Sequence, residues 1–274
     1  MSCMNVKQWK KLVASWLDWS YLDCSFVERP GIQSFFLCSC IAVAFGLQIL
    51  CFFLDSTWTP DEVEYLMGGS TLAATGRFLP GEFPPFILLL LAPLAYLTGE
   101  NYPLMTVFAL SFLCALRVWG IFGCATCLWK DRRFAYAAAF CCAVHPYLVR
   151  LGGNILRDGL YFTICCFALY LLMRAAKDGS IRWYVGYAAL ALLGGLTRKE
   201  GIELLIIFII VQIGVCFRIR ASHNRILRQM AYLIVLPLVV LGTLKSCEQL
   251  LAGYGCQWRI DTKIRTFFQE NFDS

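Results

Sequence analysis

Long apolar runs alternate with short polar intervals along almost the whole chain. They lie at about 34–54, 102–129, 134–149, 159–173, 183–196, 202–217 and 230–252, with a shorter run at 84–98 that contains Pro93. A helix needs roughly 20 apolar residues to span a hydrocarbon core. The pattern therefore predicts an all-α, multi-pass transmembrane helical bundle of about seven crossings. The run at 84–98 is doubtful as a span. Ahead of the first run, Val6, Trp9, Val13, Trp16 and Leu17 recur at helical spacing with Lys7, Lys10 and Lys11 between them. This predicts an amphipathic segment over 1–32 lying in the headgroup region. The membrane domain then occupies 33–252 and a polar tail 253–274. No internal repeat is visible.

The longest polar interval between the first and last runs is 58–85. Within it, Thr59-Pro60-Asp61-Glu62 reads as a helix start. Thr59 is the N-cap, Pro60 holds the first helical position, and Glu62 closes a capping box. Gly76 marks the expected stop. Gly68 and Gly69 inside this helix each cost roughly 1 kcal/mol relative to alanine, so another backbone or a ligand is expected to pack closely there.

Charge then fixes an expected topology. The basic loops 130–133, 174–182 and 218–228, with the lysine-rich N-terminus, belong in the cytoplasm by the positive-inside rule. They share one side only if 84–98 turns back without crossing, as a juxtamembrane helix of the first external loop. The interval at Asp61, the turn at 152–158, the turn at 197–201 and the C-terminus then all lie on the external face.

Composition agrees with a membrane chain: 59% hydrophobic, 15% charged, mean hydropathy +0.64. The net charge of +6 sits in short loops, without the basic arrays and interleaved aromatics of a nucleic-acid binder. Most of the fifteen cysteines lie inside apolar runs and read as small buried hydrophobes. Cys124 and Cys127 form a CxxC within one run and read as packing. With only two histidines, a His-rich metal site is not expected; a divalent ion stays open and no cofactor is inferred. There is no phosphate-binding glycine loop.

Four external pieces carry the candidate chemistry. In the first, Glu62 has a sufficient structural reading as the capping acid, and Asp61 complements the helix dipole or acts chemically. In the second, His145 to Asp158, an acid opens the next helix, with Arg150 and Arg157 as guanidinium donors suited to phosphate. The third, Thr197-Arg198-Lys199-Glu200-Gly201, places cations against the charge rule; either an anion binds there or Glu200 and Glu203 compensate. The fourth is charge within the membrane. Arg117 lies mid-span, where an unpaired cation costs roughly 2.5–3.5 kcal/mol, and is expected to face the interior. Lys245 and Glu248 are expected to pair.

Pro60-Asp61-Glu62-x-x-Tyr65, the following glycines, and Glu82-x-Pro84-Pro85 before an apolar run resemble the first external loop of the GT-C membrane glycosyltransferases. The lipid A aminoarabinose transferases and protein O-mannosyltransferases belong to that superfamily. The resemblance spans roughly 30–215 and takes in the turns at 145–158 and 194–201. It implies a polyprenyl- or dolichyl-phosphate sugar donor, a lipid, glycan or protein acceptor, and an inverting transfer on the external face. Asp61 would be the general base and Asp158 a second active-site acid. Glu62, Glu82, Arg157, Arg198 and Lys199 would bind substrate. Phe83 stands where the lipid A branch carries a lysine, so that phosphate contact is missing. Relatives have more crossings, so a compact enzyme, a truncated one and a degenerate, non-catalytic relative stay open. A small transporter is the other alternative, although the repeats it should show are not seen.

Overall fold

A computed structural model describes residues 30–55, 58–81, 83–218 and 223–258. The expected amphipathic segment before residue 30 and most of the C-terminal tail lie outside them. The described residues are 87% helical with no strand. The chain divides into two compact units, Met1–Ser39 and Cys40–Ser274. In the first, residues 30–39 form the opening turns of a helix. The second holds the rest of the architecture.

Among the described residues, eleven α-helices follow one another: α1 (Pro30–Leu54), α2 (Pro60–Thr75), α3 (Pro85–Thr98), α4 (Tyr102–Ala115), α5 (Arg117–Leu128), α6 (Arg132–Val144), α7 (Pro146–Gly153), α8 (Arg157–Asp178), α9 (Ile181–Thr197), α10 (Glu203–Arg218) and α11 (His223–Ala252). Single 3₁₀ turns, Gly99–Asn101 and Lys199–Ile202, join α3 to α4 and α9 to α10. Local chemistry sets several boundaries. Pro85 and Pro146 sit in the first turns of α3 and α7, where a missing N–H does no harm. Asp131 caps α6 by accepting from the Arg133 amide at 2.9 Å.

Measured by length and composition, four helical runs among the described residues are long and apolar enough to cross a membrane: Gly31–Leu54, Pro85–Leu128, Arg157–Asp178 and Met230–Ala252. A fifth is added if α6 and α7, bent by 54°, count as one span. Seven crossings are not confirmed on this measure. At 17 and 16 residues, α9 and α10 fall short of a full span, and 85–98 runs on into the next helix. One predicted span is also bent. The expected span 134–149 bends at His145 because Pro146 donates no hydrogen bond and its ring crowds the preceding turn. The run 102–129 carries on through Leu116, between α4 and α5, which keeps helical dihedrals and bonds to Phe112 at 3.2 Å and to Gly120 at 3.4 Å.

The chain turns sharply between α3 and α4. Gly99 (φ 54°, ψ −121°) leaves the helical region, and the Tyr102 hydroxyl returns to Gly69, where Leu91 also packs. In a straight helix Leu91 and Tyr102 would stand about 16 Å apart along the axis. The glycines of α2 therefore admit side chains, Leu88 at Gly68 and Leu91 with Tyr102 at Gly69, where the sequence suggested a backbone or a ligand.

Glycine contacts also fix the directions of the remaining helices. Gly120 and Gly123 of α5 meet Cys166 and Tyr170 of α8, so these two run parallel. Gly186 and Gly194 of α9 meet Leu171 and Ile164 of α8, which makes α9 antiparallel to α8. Tyr187 stacks on Phe208 of α10 (centroids 5.5 Å apart) and donates to the Leu204 carbonyl, while Tyr184 and Gln212 bond at 3.1 Å. Helix α10 is therefore antiparallel to α9. Gly195 against Leu244 and Tyr184 against Tyr232 set α11 parallel to α9. The start of α8, the end of α9, the start of α10 and the end of α11 all arrive at one end of the bundle.

Candidate functional site

The capping box expected at the start of α2 forms. The Thr59 amide donates to Glu62 Oε2 at 2.7 Å and the Thr59 hydroxyl donates to the same oxygen at 2.9 Å; the Glu62 amide donates back to Thr59 Oγ1 at 3.4 Å. Gly76, at φ 68°, ends the helix in the left-handed conformation that glycine adopts without strain. Glu62 has a further partner that its sequence position does not disclose. Its Oε1 accepts the Ile155 amide at 2.9 Å. With 3% of its surface exposed and both oxygens engaged, Glu62 braces the α7–α8 turn against α2. It was expected among the substrate contacts, and the geometry is that of a brace.

That bond brings the second piece to the first. The turn leads into α8, whose first residues are Arg157 and Asp158. The third piece arrives through the α9–α10 elbow, where a Cβ on Gly201 would fall 2.3 Å from the Gly194 carbonyl carbon. This close approach delivers Arg198, whose Nη1 lies 2.6 Å from Asp158 Oδ1 and whose Nε lies 3.1 Å from Glu200 Oε2. Its guanidinium also covers the Tyr161 ring at 5.7 Å. Burial works against the charge of Arg198; the Glu200 hydrogen bond and the Asp158 field outweigh it and raise its pKa. The C-terminus supplies the last piece, with the Phe78 amide donating to the Tyr254 carbonyl at 3.0 Å. Cys256 and Trp258 are buried just beyond.

The expected residues are thus placed unequally. Asp61 is exposed at the start of α2 and makes no hydrogen bond or ion pair among the described residues. Asp158 is held by Arg198, with Arg157 Nε farther off at 4.0 Å. Arg157 keeps 39% of its side chain exposed. Lys199 is half-buried on the elbow. Glu82 falls outside the described residues. Arg150 pairs with Asp55 at 3.7 Å. Compensation of Arg198 by Glu200, one of the two readings left open above, is present. Lys245 and Glu248 pair at 3.4 Å as expected. No group of three His, Cys, Asp or Glu that could hold a metal occurs among the described residues.

Tyr65 is the residue that sequence reasoning undervalued. It lies one turn beyond Asp61 on α2, is 4% exposed, and stands edge-on to Phe83 at 6.4 Å. Burial raises its hydroxyl pKa; the field of Arg157 lowers it, and those of Asp61, Asp158 and Glu64 raise it. Tyr65 therefore marks the point where the fields of Asp61, Arg157 and Asp158 overlap. The signal was available, since Asp61 and Tyr65 are four apart and share a helix face.

A family model described as dolichyl-phosphate-mannose-protein mannosyltransferase matches residues 82–243. The match takes in Arg157, Asp158, Arg198 and Lys199 and starts after the Asp61-Glu62 pair. No curated protein matches the chain.

Proposed function

Starting from a chain that belongs to the dolichyl-phosphate-mannose-protein mannosyltransferase family, an integral-membrane glycosyltransferase family, we propose an inverting transfer of a sugar from a polyprenyl-phosphate donor to an acceptor hydroxyl at the end of the bundle where α2, the α7–α8 turn and the α9–α10 elbow meet. One observation carries the assignment of roles. Asp61 is exposed and uncommitted at that end, whereas Asp158 is tied to Arg198 at 2.6 Å. Asp61 takes the acceptor proton as the acceptor oxygen bonds to the anomeric carbon from the face opposite the phosphate. The bond from that carbon to the phosphate oxygen breaks, and its electron pair leaves with the lipid phosphate. Arg157 meets the developing charge. Arg198, shared between Asp158 and Glu200, holds the acid in place and contributes to the local positive field, with Lys199 beside it.

The site end is the external one in this reading. Lys130, Arg132, Arg133, Arg174, Lys177 and Arg182 gather at the opposite end, as the ends of the parallel α5 and α8 place them, and basic loops stay in the cytoplasm. The turn at Gly99 supports a first external loop in which 85–98 does not cross. The chain then traverses the membrane about seven times, some helices falling short of a full span.

Transfer from a synthetic polyprenyl-phosphate sugar, measured in nanodiscs, tests the roles. Asp61→Asn should lower transfer about 10²- to 10⁴-fold with donor binding retained. Full activity in Asp61→Asn together with collapse in Asp158→Asn would exchange the two acids. Donor binding by a wild type that never transfers would identify a non-catalytic relative.

A further inference from the structure

Arg117 opens α5 at 1% exposure, yet its partners are neutral. Nη2 donates to the Leu148 carbonyl; with the Gln48 amide turned to the orientation in which both its oxygen and its nitrogen find partners, Nη2 also donates to the Gln48 oxygen at 3.1 Å, while Nε and Nη1 meet no acceptor. The amide nitrogen of Gln48, itself wholly buried, donates to Ser111 O at 2.9 Å and Gly152 O at 3.3 Å. The Ser111 hydroxyl adds a bond to Gly152 O at 3.1 Å. Three of these bonds end on α7, a helix of eight residues, one on the Leu148 carbonyl and two on that of Gly152.

The arrangement answers a specific need. The last carbonyls of a helix have no partner within it, and in a membrane interior water does not replace one. Helix α7 ends inside the bundle, at Gly152 and Gly153. A Cβ on Gly152 would lie 2.3 Å from the Gln48 amide and 3.0 Å from Arg117 Nη2, and one on Gly153 would lie 2.8 Å from the Gln48 carbonyl oxygen. These glycines let the polar groups come close to the helix end: Gln48 and Ser111 bond the Gly152 carbonyl, one of the last, and Arg117 bonds that of Leu148 one turn earlier. Two residues further on, the Ile155 amide is fixed by Glu62, and Arg157 and Asp158 follow.

We infer that Arg117, with Gln48 and Ser111, is a positioning residue for the candidate site: it anchors α7 and so sets where the 154–158 turn presents Arg157 and Asp158. What the turn then does to a donor rests on the proposed function; the anchoring does not.

Hydrogen–deuterium exchange of the protein in nanodiscs tests it. In Arg117→Met, the segment 150–157 should exchange at least about tenfold faster, with α10 unchanged. Arg117→Lys, which restores a cation, should recover most of the protection. Ser111→Ala, a smaller change that keeps the arginine, should loosen the same segment less; this variant decides the matter if Arg117→Met does not fold. Unchanged exchange at 150–157 in a folded variant, or a uniform rise across all helices, would overturn the inference. Binding of polyprenyl phosphate separates the two readings. A loosened turn with undiminished binding upholds the anchor and removes Arg157 from the donor site.

Discussion

Glu62 gives the sharpest test of how the site is assembled, because its oxygens serve two different partners. Oε2 faces Thr59 and Oε1 faces the Ile155 amide, 93 residues away in sequence. Glu62→Gln has one oxygen to offer where the wild type offers two. If that oxygen stays on Thr59, the amide NH₂ confronts the Ile155 N–H, and a buried donor is left unmet. Such a group costs about 1–3 kcal/mol. Thr59→Ala removes only the local cap, at about 1 kcal/mol. Glu62→Ala removes the Ile155 bond and both carboxylate bonds to Thr59 while leaving the residue-62 amide on the Thr59 hydroxyl, and should cost about 2–4 kcal/mol. Thermal melting in one detergent should therefore rank the losses Glu62→Ala above Glu62→Gln and Thr59→Ala. The combined Thr59→Ala/Glu62→Ala variant should lose up to about a further 1 kcal/mol beyond Glu62→Ala, since the Thr59 hydroxyl still accepts from the residue-62 amide in the single variant. Equal losses for Thr59→Ala and Glu62→Ala would show that the Ile155 bond contributes nothing and that the brace between α2 and the α7–α8 turn has been misread.

Other outcomes follow from the same contacts. Arg157→Ala should weaken polyprenyl-phosphate binding by about 10- to 100-fold, as expected for a lost charge-assisted bond of roughly 1.5–3 kcal/mol; unchanged affinity in a titration would reject it as the phosphate contact. Gly69→Ala should destabilise by about 1–3 kcal/mol in a melt, because its Cβ would lie 2.8 Å from Leu91 Cβ as well as on the Tyr102 hydroxyl, whereas Gly214→Ala, with open space around it, should be neutral or slightly stabilising. In a background freed of the exposed Cys38 and Cys141, Asn101→Cys and Tyr254→Cys should react with an impermeant thiol reagent from the same side of the membrane, and Lys130→Cys from the other; opposite sides for the first two would make 85–98 a crossing helix.

Much of the fold was legible because its determinants are local. An apolar run dictates a helix wherever backbone groups must bond within their own segment, and Thr59, Pro60, Glu62 and Gly76 mark the limits of α2 within a turn of chain. Membership of the glycosyltransferase family was legible for a related reason, since its motifs lie in short polar turns between such runs. Charge pairs close in sequence, Lys245 with Glu248 and Arg198 with Glu200, were legible, but pairing across the fold was not. Nothing local tells Asp61, left open, from Asp158, bound by an arginine 40 residues on, because an ion pair depends on how an elbow such as Gly194–Gly201 folds. Helix continuity was equally hidden. The bend at Pro146 removes a hydrogen bond that any sequence reading can count, but what holds the short helix beyond it cannot be read the same way. Here Arg117, Gln48 and Ser111, from three other helices, reach the Leu148 and Gly152 carbonyls of α7, and only packing could bring these residues together.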